Sequence, residues 1–127
     1  MDPLFLTLDE VLSLHEDQID RYGGLGGVRD TGLLESAMGS AAATFGGVFL
    51  HETVFEMAAA YLFGICRNHP FLDGNKRTAV AAALTFLEMN SEEISADEDA
   101  FFDLVIGVAE GRVSKAEVAV FFQEHAK

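Results

Sequence analysis

Residues 68–79 read NHPFLDGNKRTA and place a histidine, a carboxylate, an amide and two cations within a dozen positions. Each type has a chemical use. The neutral imidazole of His69, with an ordinary pKa of ~6.5, can take a proton from a hydroxyl near neutral pH. The Asp73 carboxylate can hold Mg²⁺, which favours one or two carboxylates together with phosphate oxygens. Gly74 and Asn75 lead into an apolar segment. If that segment is a helix, its first amides lack partners and carry the positive end of the dipole. Lys76 and Arg77 sit beside those amides, where the dipole disfavours cations and an anion would offset it. A Gly-containing turn that enters a helix among basic side chains suits a phosphate. Phosphoryl or nucleotidyl transfer to a hydroxyl needs these parts. Taken singly, the residues have plainer uses. A histidine before proline caps a helix or faces solvent, Asp-Gly is a common turn, and Phe71 anchors a loop in a core.

The flanking segments must position this loop. Residues 53–67 are apolar nearly all round, as are 76–89, and helices without a polar face belong at the centre of a fold. Pro70 predicts an end to the first of them and an extended conformation at His69. Four Ser/Thr-x-x-Glu pairs, Thr7/Glu10, Thr53/Glu56, Ser95/Glu98 and Ser114/Glu117, predict capping boxes at helix starts. Leu6 with Val11, and Val113 with Val118, stand where hydrophobic staples lie. A first helix is expected over 8–22, stopped by GGLGG at 23–27, and a short one after Asp30. FGGVFL at 45–50 breaks the helical period and reads as a hairpin-like flap. Phe101, Leu104, Val105 and Val108 have the spacing of an amphipathic helix, and Val118, Phe121 and Phe122 mark a last one. The expected fold is all-α, a single domain over 1–127 in which the loop joins two buried central helices.

Composition narrows the functional classes. The net charge of −13 repels a phosphate backbone and argues against direct nucleic-acid binding. It serves solubility, or complements a basic partner. No apolar run approaches the ~20 residues of a membrane span, and the first residues do not read as a signal peptide. Cys66 is the one cysteine, which fits a reducing, cytoplasmic setting. His15, His51, His69 and His125 lack the spacing of a zinc hydrolase.

The nine residues HPFLDGNKR (69–77) resemble the signature of the Fic/Doc superfamily, whose Fic branch carries HPFx(D/E)GNGR. Lys76, in place of the Fic glycine, matches the death-on-curing (Doc) branch. LHEDQIDRYGGLGGVRDTGLLESA (14–37) and NKRTAVAAALTFLEMN (75–90) are similar to Doc regions as well. The resemblance implies a Fic-type helical bundle and a toxin of a toxin-antitoxin module. That toxin would be a protein kinase that moves the γ-phosphate of ATP, with Mg²⁺, to a threonine or serine of elongation factor Tu and so halts translation. It implies His69 as general base, Asp73 as the Mg²⁺ holder, and Gly74 and Asn75 as shapers of the anion hole, Asn75 adding a side-chain contact. Lys76 and Arg77 would bind ATP phosphates, Phe71 would anchor the loop, and the flap would dock the target chain. The implied partner is a small antitoxin whose carboxy-terminal segment binds near the active site. AMP or other nucleotidyl transfer, as in Fic, and a non-catalytic partner-binding module are the alternative readings.

Overall fold

Six helices and one short hairpin follow from these local signals in a computed structural model, which describes residues 2–127. Helix α1 (Leu8–Tyr22) opens with a complete capping box, Thr7 Oγ1 accepting from Glu10 N and Glu10 Oε1 from Thr7 N. Leu6 and Val11 are both buried beside it. The helix ends at Gly23, whose φ of 83° suits a residue without a Cβ. Helix α2 (Thr31–Ala41) is capped by Asp30, which accepts from Leu33 N. Strands β1 (Thr44–Phe45) and β2 (Val48–Phe49) pair antiparallel around Gly46 and Gly47. Both glycines have positive φ, as a tight two-residue hairpin turn requires.

Helices α3 (Val54–Asn68) and α4 (Asn75–Met89) form the centre, and α3 packs against α2, α4, α5 (Glu98–Ala109) and α6 (Lys115–Glu124). Small residues set the close approach. Ala58, Ala59 and Ala60 of α3 and Ala79, Ala82 and Ala83 of α4 are buried. At Gly64 an added Cβ would lie 3.0 Å from that of Ala37, so α2 tolerates little more than a hydrogen there. Phe86 packs against Phe5 and Tyr61, and the Tyr61 hydroxyl accepts from Leu6 N at 3.1 Å. Burial pushes the Tyr61 phenol above its ordinary value. Among the described residues no helix is long and apolar enough to cross a membrane.

Two of the expected caps differ. At α5 the cap is Asp97, which accepts from Ala100 N at 2.8 Å, and not Ser95. Ser95 N instead donates to His125 O, and Ile94 bridges Ala126, so this backbone is extended against the chain end before the helix starts. At α3 Thr53 caps Glu56 N as expected, but the Glu56 carboxylate reaches Glu52 N, one residue short of a closed box.

Candidate active site

The loop between α3 and α4 is held from outside by residues 27–30, a strap that crosses it. Gly27 O accepts from Leu72 N, Val28 forms an antiparallel bridge with Phe71, and Pro70 O accepts from both Arg29 N (2.7 Å) and Asp30 N (3.0 Å). Arg29 also reaches the end of α3 with its side chain. Its Nε donates to His69 O at 2.6 Å and its Nη2 to Asn68 O at 2.9 Å. The last carbonyls of a helix have no partner within it, and the guanidinium supplies one. With that support His69 takes φ 50°, ψ 55°, the left-handed region, and not the extended form that a following proline favours. For a non-glycine residue this costs on the order of 1–3 kcal/mol and persists only where the surroundings impose it.

Beneath the loop, Phe71 is 1 % exposed. The His15 ring stacks on it at 3.8 Å between centroids and 6° between planes. His15 Nε2 donates to Asp73 O at 2.8 Å, so a buried histidine from α1 fixes both the anchor and the turn. Asn75, also buried, spans the loop from within: Oδ1 accepts from Phe71 N and Nδ2 donates to Phe71 O, each at 3.0 Å. The Asn75 side-chain amide is thus engaged with the loop backbone through both its oxygen and its nitrogen. Asn75 Nδ2 also lies 3.5 Å from His69 Nδ1, a long contact. Nδ2 has only hydrogens to give, so proton abstraction at His69 Nε2 requires this weak contact to yield to a proton on Nδ1.

The start of α4 differs from the other helix starts. Thr7, Asp30, Thr53, Asp97 and Ser114 each accept from an amide of the first turn of their helices, whereas Gly74 caps α4 with no side chain and no acidic residue follows it there. The amides of Asn75, Lys76 and Arg77 point out of the helix end, as the first amides of any helix do. Among the described residues neither Lys76 nor Arg77 has a carboxylate within 4.0 Å; the ion pairs are Arg21–Asp17, Arg112–Glu110 and Lys127–Glu93. The Arg77 guanidinium instead lies over the Tyr22 ring, 4.9 Å from its centroid.

The model of the Fic/DOC family matches residues 5–87. The chain belongs to the Fic/DOC family. It is 39% identical over 114 residues to "Protein kinase doc" of Escherichia phage P1, covering 90% of this chain and 89% of that protein. It is 47% identical over 78 residues to "Toxin Doc" of Mycolicibacterium smegmatis, covering 61% of this chain and 60% of that one. Both relatives put it with the Doc branch of the family.

In this Fic/DOC loop the exposed Asp73 carboxylate accepts from Gly74 N through Oδ1 (2.9 Å) and from Leu25 N through Oδ2 (3.3 Å). Gly24 makes room for it, since a Cβ there would stand 2.6 Å from Oδ2. Among the described residues no three His, Cys, Asp or Glu side chains cluster as a metal cage. A lone carboxylate is a donor Mg²⁺ accepts when phosphate oxygens and water complete its shell. The loop thus gathers His69, Asp73, Gly74, Asn75, Lys76 and Arg77 in one short turn over Phe71. Pattern reading missed His15, Arg29 and Tyr22, which lie within the stretch 14–37 but carry no spacing that ties them to the loop. Cys66 lies outside this chemistry: it is buried, its thiol donates to Val105 O, and burial pushes its pKa up against the pull of Lys76 and Arg67. A cavity of ≈ 340 Å³ lies elsewhere, between the start of α3 and α6, and no residue of the loop lines it.

Proposed function

We propose that this chain is a Doc-type toxin, a protein kinase that transfers the γ-phosphate of ATP to a threonine or serine hydroxyl of a translation factor, elongation factor Tu. The observation that carries the reading is the uncapped start of α4. Its amides, and two cations without carboxylate partners among the described residues, stand one turn of chain from a histidine. In this reading His69 takes the proton of the acceptor hydroxyl as its oxygen attacks the γ-phosphorus and the bond to the β-phosphate oxygen breaks, leaving ADP. The amides of residues 75–77, Lys76 and Arg77 stabilise charge on the phosphate oxygens. Asp73 would hold Mg²⁺, which would supply positive charge to offset that of the phosphates. The names borne by the relatives of phage P1 and M. smegmatis support kinase activity and toxicity. Lys76, standing where the Fic signature has glycine, favours phosphate over AMP as the transferred group.

The protein would act in the cytoplasm and be held inactive by a small antitoxin whose carboxy-terminal segment lies near the loop. The β1–β2 hairpin exposes Phe45 (80%) and Val48 (69%), an apolar tip suited to docking the target chain. The test is the mass gained by purified elongation factor Tu with ATP and Mg²⁺: about 80 Da for a phosphate, about 329 Da for AMP. Label should pass from the γ and not the α position of ATP, and His69→Ala should slow transfer by about 10²–10⁴. Transfer of α label alone refutes the kinase reading, and toxicity that survives His69→Ala points to a binding module.

A further inference from the structure

The carbonyls of Asn68, His69 and Pro70, three in succession, are all bonded from one two-residue segment, Arg29–Asp30. His69 is exposed, and among the described residues the one hydrogen-bond contact of its ring is the long 3.5 Å approach of Asn75 Nδ2. A ring so loosely tied takes its direction from its peptide. That peptide is in the left-handed region at a non-glycine residue before proline, a conformation the chain does not adopt unaided. Arg29 is exposed and, among the described residues, has no carboxylate within 4.0 Å, in a chain with 21 acidic and 8 basic residues. Its charge is directed at backbone oxygens alone. The planar fork of a guanidinium can bond two adjacent carbonyls at once, which an ammonium cannot match in geometry.

We infer that Arg29 is a positioning residue for the reaction: by clamping the Asn68 and His69 carbonyls it aims the His69 ring at the acceptor hydroxyl. The inference rests on His69 being the base. Arg29 acts through His69 and need not touch the substrate.

The test compares full-length wild type, Arg29→Ala, Arg29→Lys, His69→Ala and the double variant Arg29→Ala/His69→Ala. Phosphate transfer to elongation factor Tu is measured per folded molecule. Arg29→Ala should lower kcat by about 10–100-fold, since a shift of about 1 Å at a reacting group costs up to 10²-fold, with KM for ATP changed by less than about 2-fold. Arg29→Lys, which can reach one carbonyl, should fall between, and it carries the test if the alanine variant does not fold. The dependence of kcat on pH should be weaker in Arg29→Ala than in wild type, because the base is no longer aligned. In the double variant, loss of Arg29 should add nothing to loss of His69.

An unchanged kcat and pH profile in the Arg29 variants, with only Tm lowered, would reduce the clamp to a structural contact and overturn the inference. A raised KM at unchanged kcat would overturn it in favour of direct phosphate binding. Activity surviving in His69→Ala refutes the base assignment itself, whatever Arg29 does. Loss of activity in His69→Ala beside a fully active Arg29→Ala refutes the clamp alone.

Discussion

His15 offers a way to weigh the support beneath the loop. It makes two contacts that can be removed separately: the stack on Phe71 at 3.8 Å and the bond from Nε2 to Asp73 O at 2.8 Å. His15→Phe keeps an aromatic ring on Phe71 and deletes the donor. A neutral hydrogen bond contributes about 0.5–1.5 kcal/mol, and the exposed Asp73 lets water replace part of it, so a loss of about 1 kcal/mol is expected. For a chain of this size that lowers Tm by about 3–5 °C. His15→Ala also loses the stack, about 0.5–1.5 kcal/mol, and leaves a hole in a fully packed region. Its total is about 2–5 kcal/mol, which lowers Tm by about 10 °C or more. The effect on function should run ahead of stability. Asp73 O leads directly into the Gly74 turn, so freeing it loosens the three amides at the start of α4. A fall of about 10-fold in kcat/KM is expected for His15→Phe at a temperature where it is fully folded. The assays are thermal unfolding by circular dichroism and phosphate transfer on the same samples. If His15→Phe matches wild type in both, the bond to Asp73 does not hold the loop and the reasoning fails.

Gly24→Ala should push Asp73 aside, because the new Cβ meets Oδ2 at 2.6 Å, and transfer should then need more Mg²⁺; Gly23→Ala shares a positive φ but meets nothing within 4 Å and serves as the control. Equal Mg²⁺ curves for the two would remove Asp73 from metal binding. Thr78→Val should stabilise the fold by about 1 kcal/mol, seen as a higher Tm, because the buried Thr78 hydroxyl has no partner among the described residues. A lower Tm would mean that the hydroxyl is bonded in solution. Burial raises the Cys66 thiol above its ordinary value, so the folded state binds that proton more tightly than the unfolded chain. Its stabilising contribution is whole below the unfolded thiol's value and is lost as pH rises through the folded one. Unfolding free energy should therefore decline above about pH 8.5, and Cys66→Ala should flatten that first part of the decline. Tyr61, raised in the same sense, keeps the slope at higher pH.

The helices were legible because their signals are local. Thr7/Glu10 and Ser114/Glu117 form boxes as read, and the apolar runs 53–67 and 76–89 become the central pair. The motif's spacing also sufficed to bring histidine, carboxylate and cations to one loop. What the sequence could not disclose lies in partners far apart along the chain. His15 meets Asp73 58 residues away, and Arg29 meets His69 40 residues away, with no periodicity to announce either. The same distance explains the misread backbone of His69: the preference set by Pro70 is local, and the guanidinium that overrides it arrives from the strap. Ser95 lost its role to Asp97 for a similar reason, its N–H donating to His125 O beyond two further helices. The direction of the Asn75 side chain depended on the Phe71 backbone folding back over it, which composition does not encode.

Gly74 carries a consequence for how this protein can change over generations. Its φ of 76° is the reverse of the extended angles from which Thr7, Asp30, Thr53, Asp97 and Ser114 cap their helices. A serine or aspartate placed there would inherit a strained backbone and aim its oxygen away from the free amides. Improving a helix cap is among the commonest routes by which a protein gains stability, and it often closes the sites it touches. At the start of α4 that route is blocked by geometry, so lineages selected for robustness must find it elsewhere and leave this mouth open.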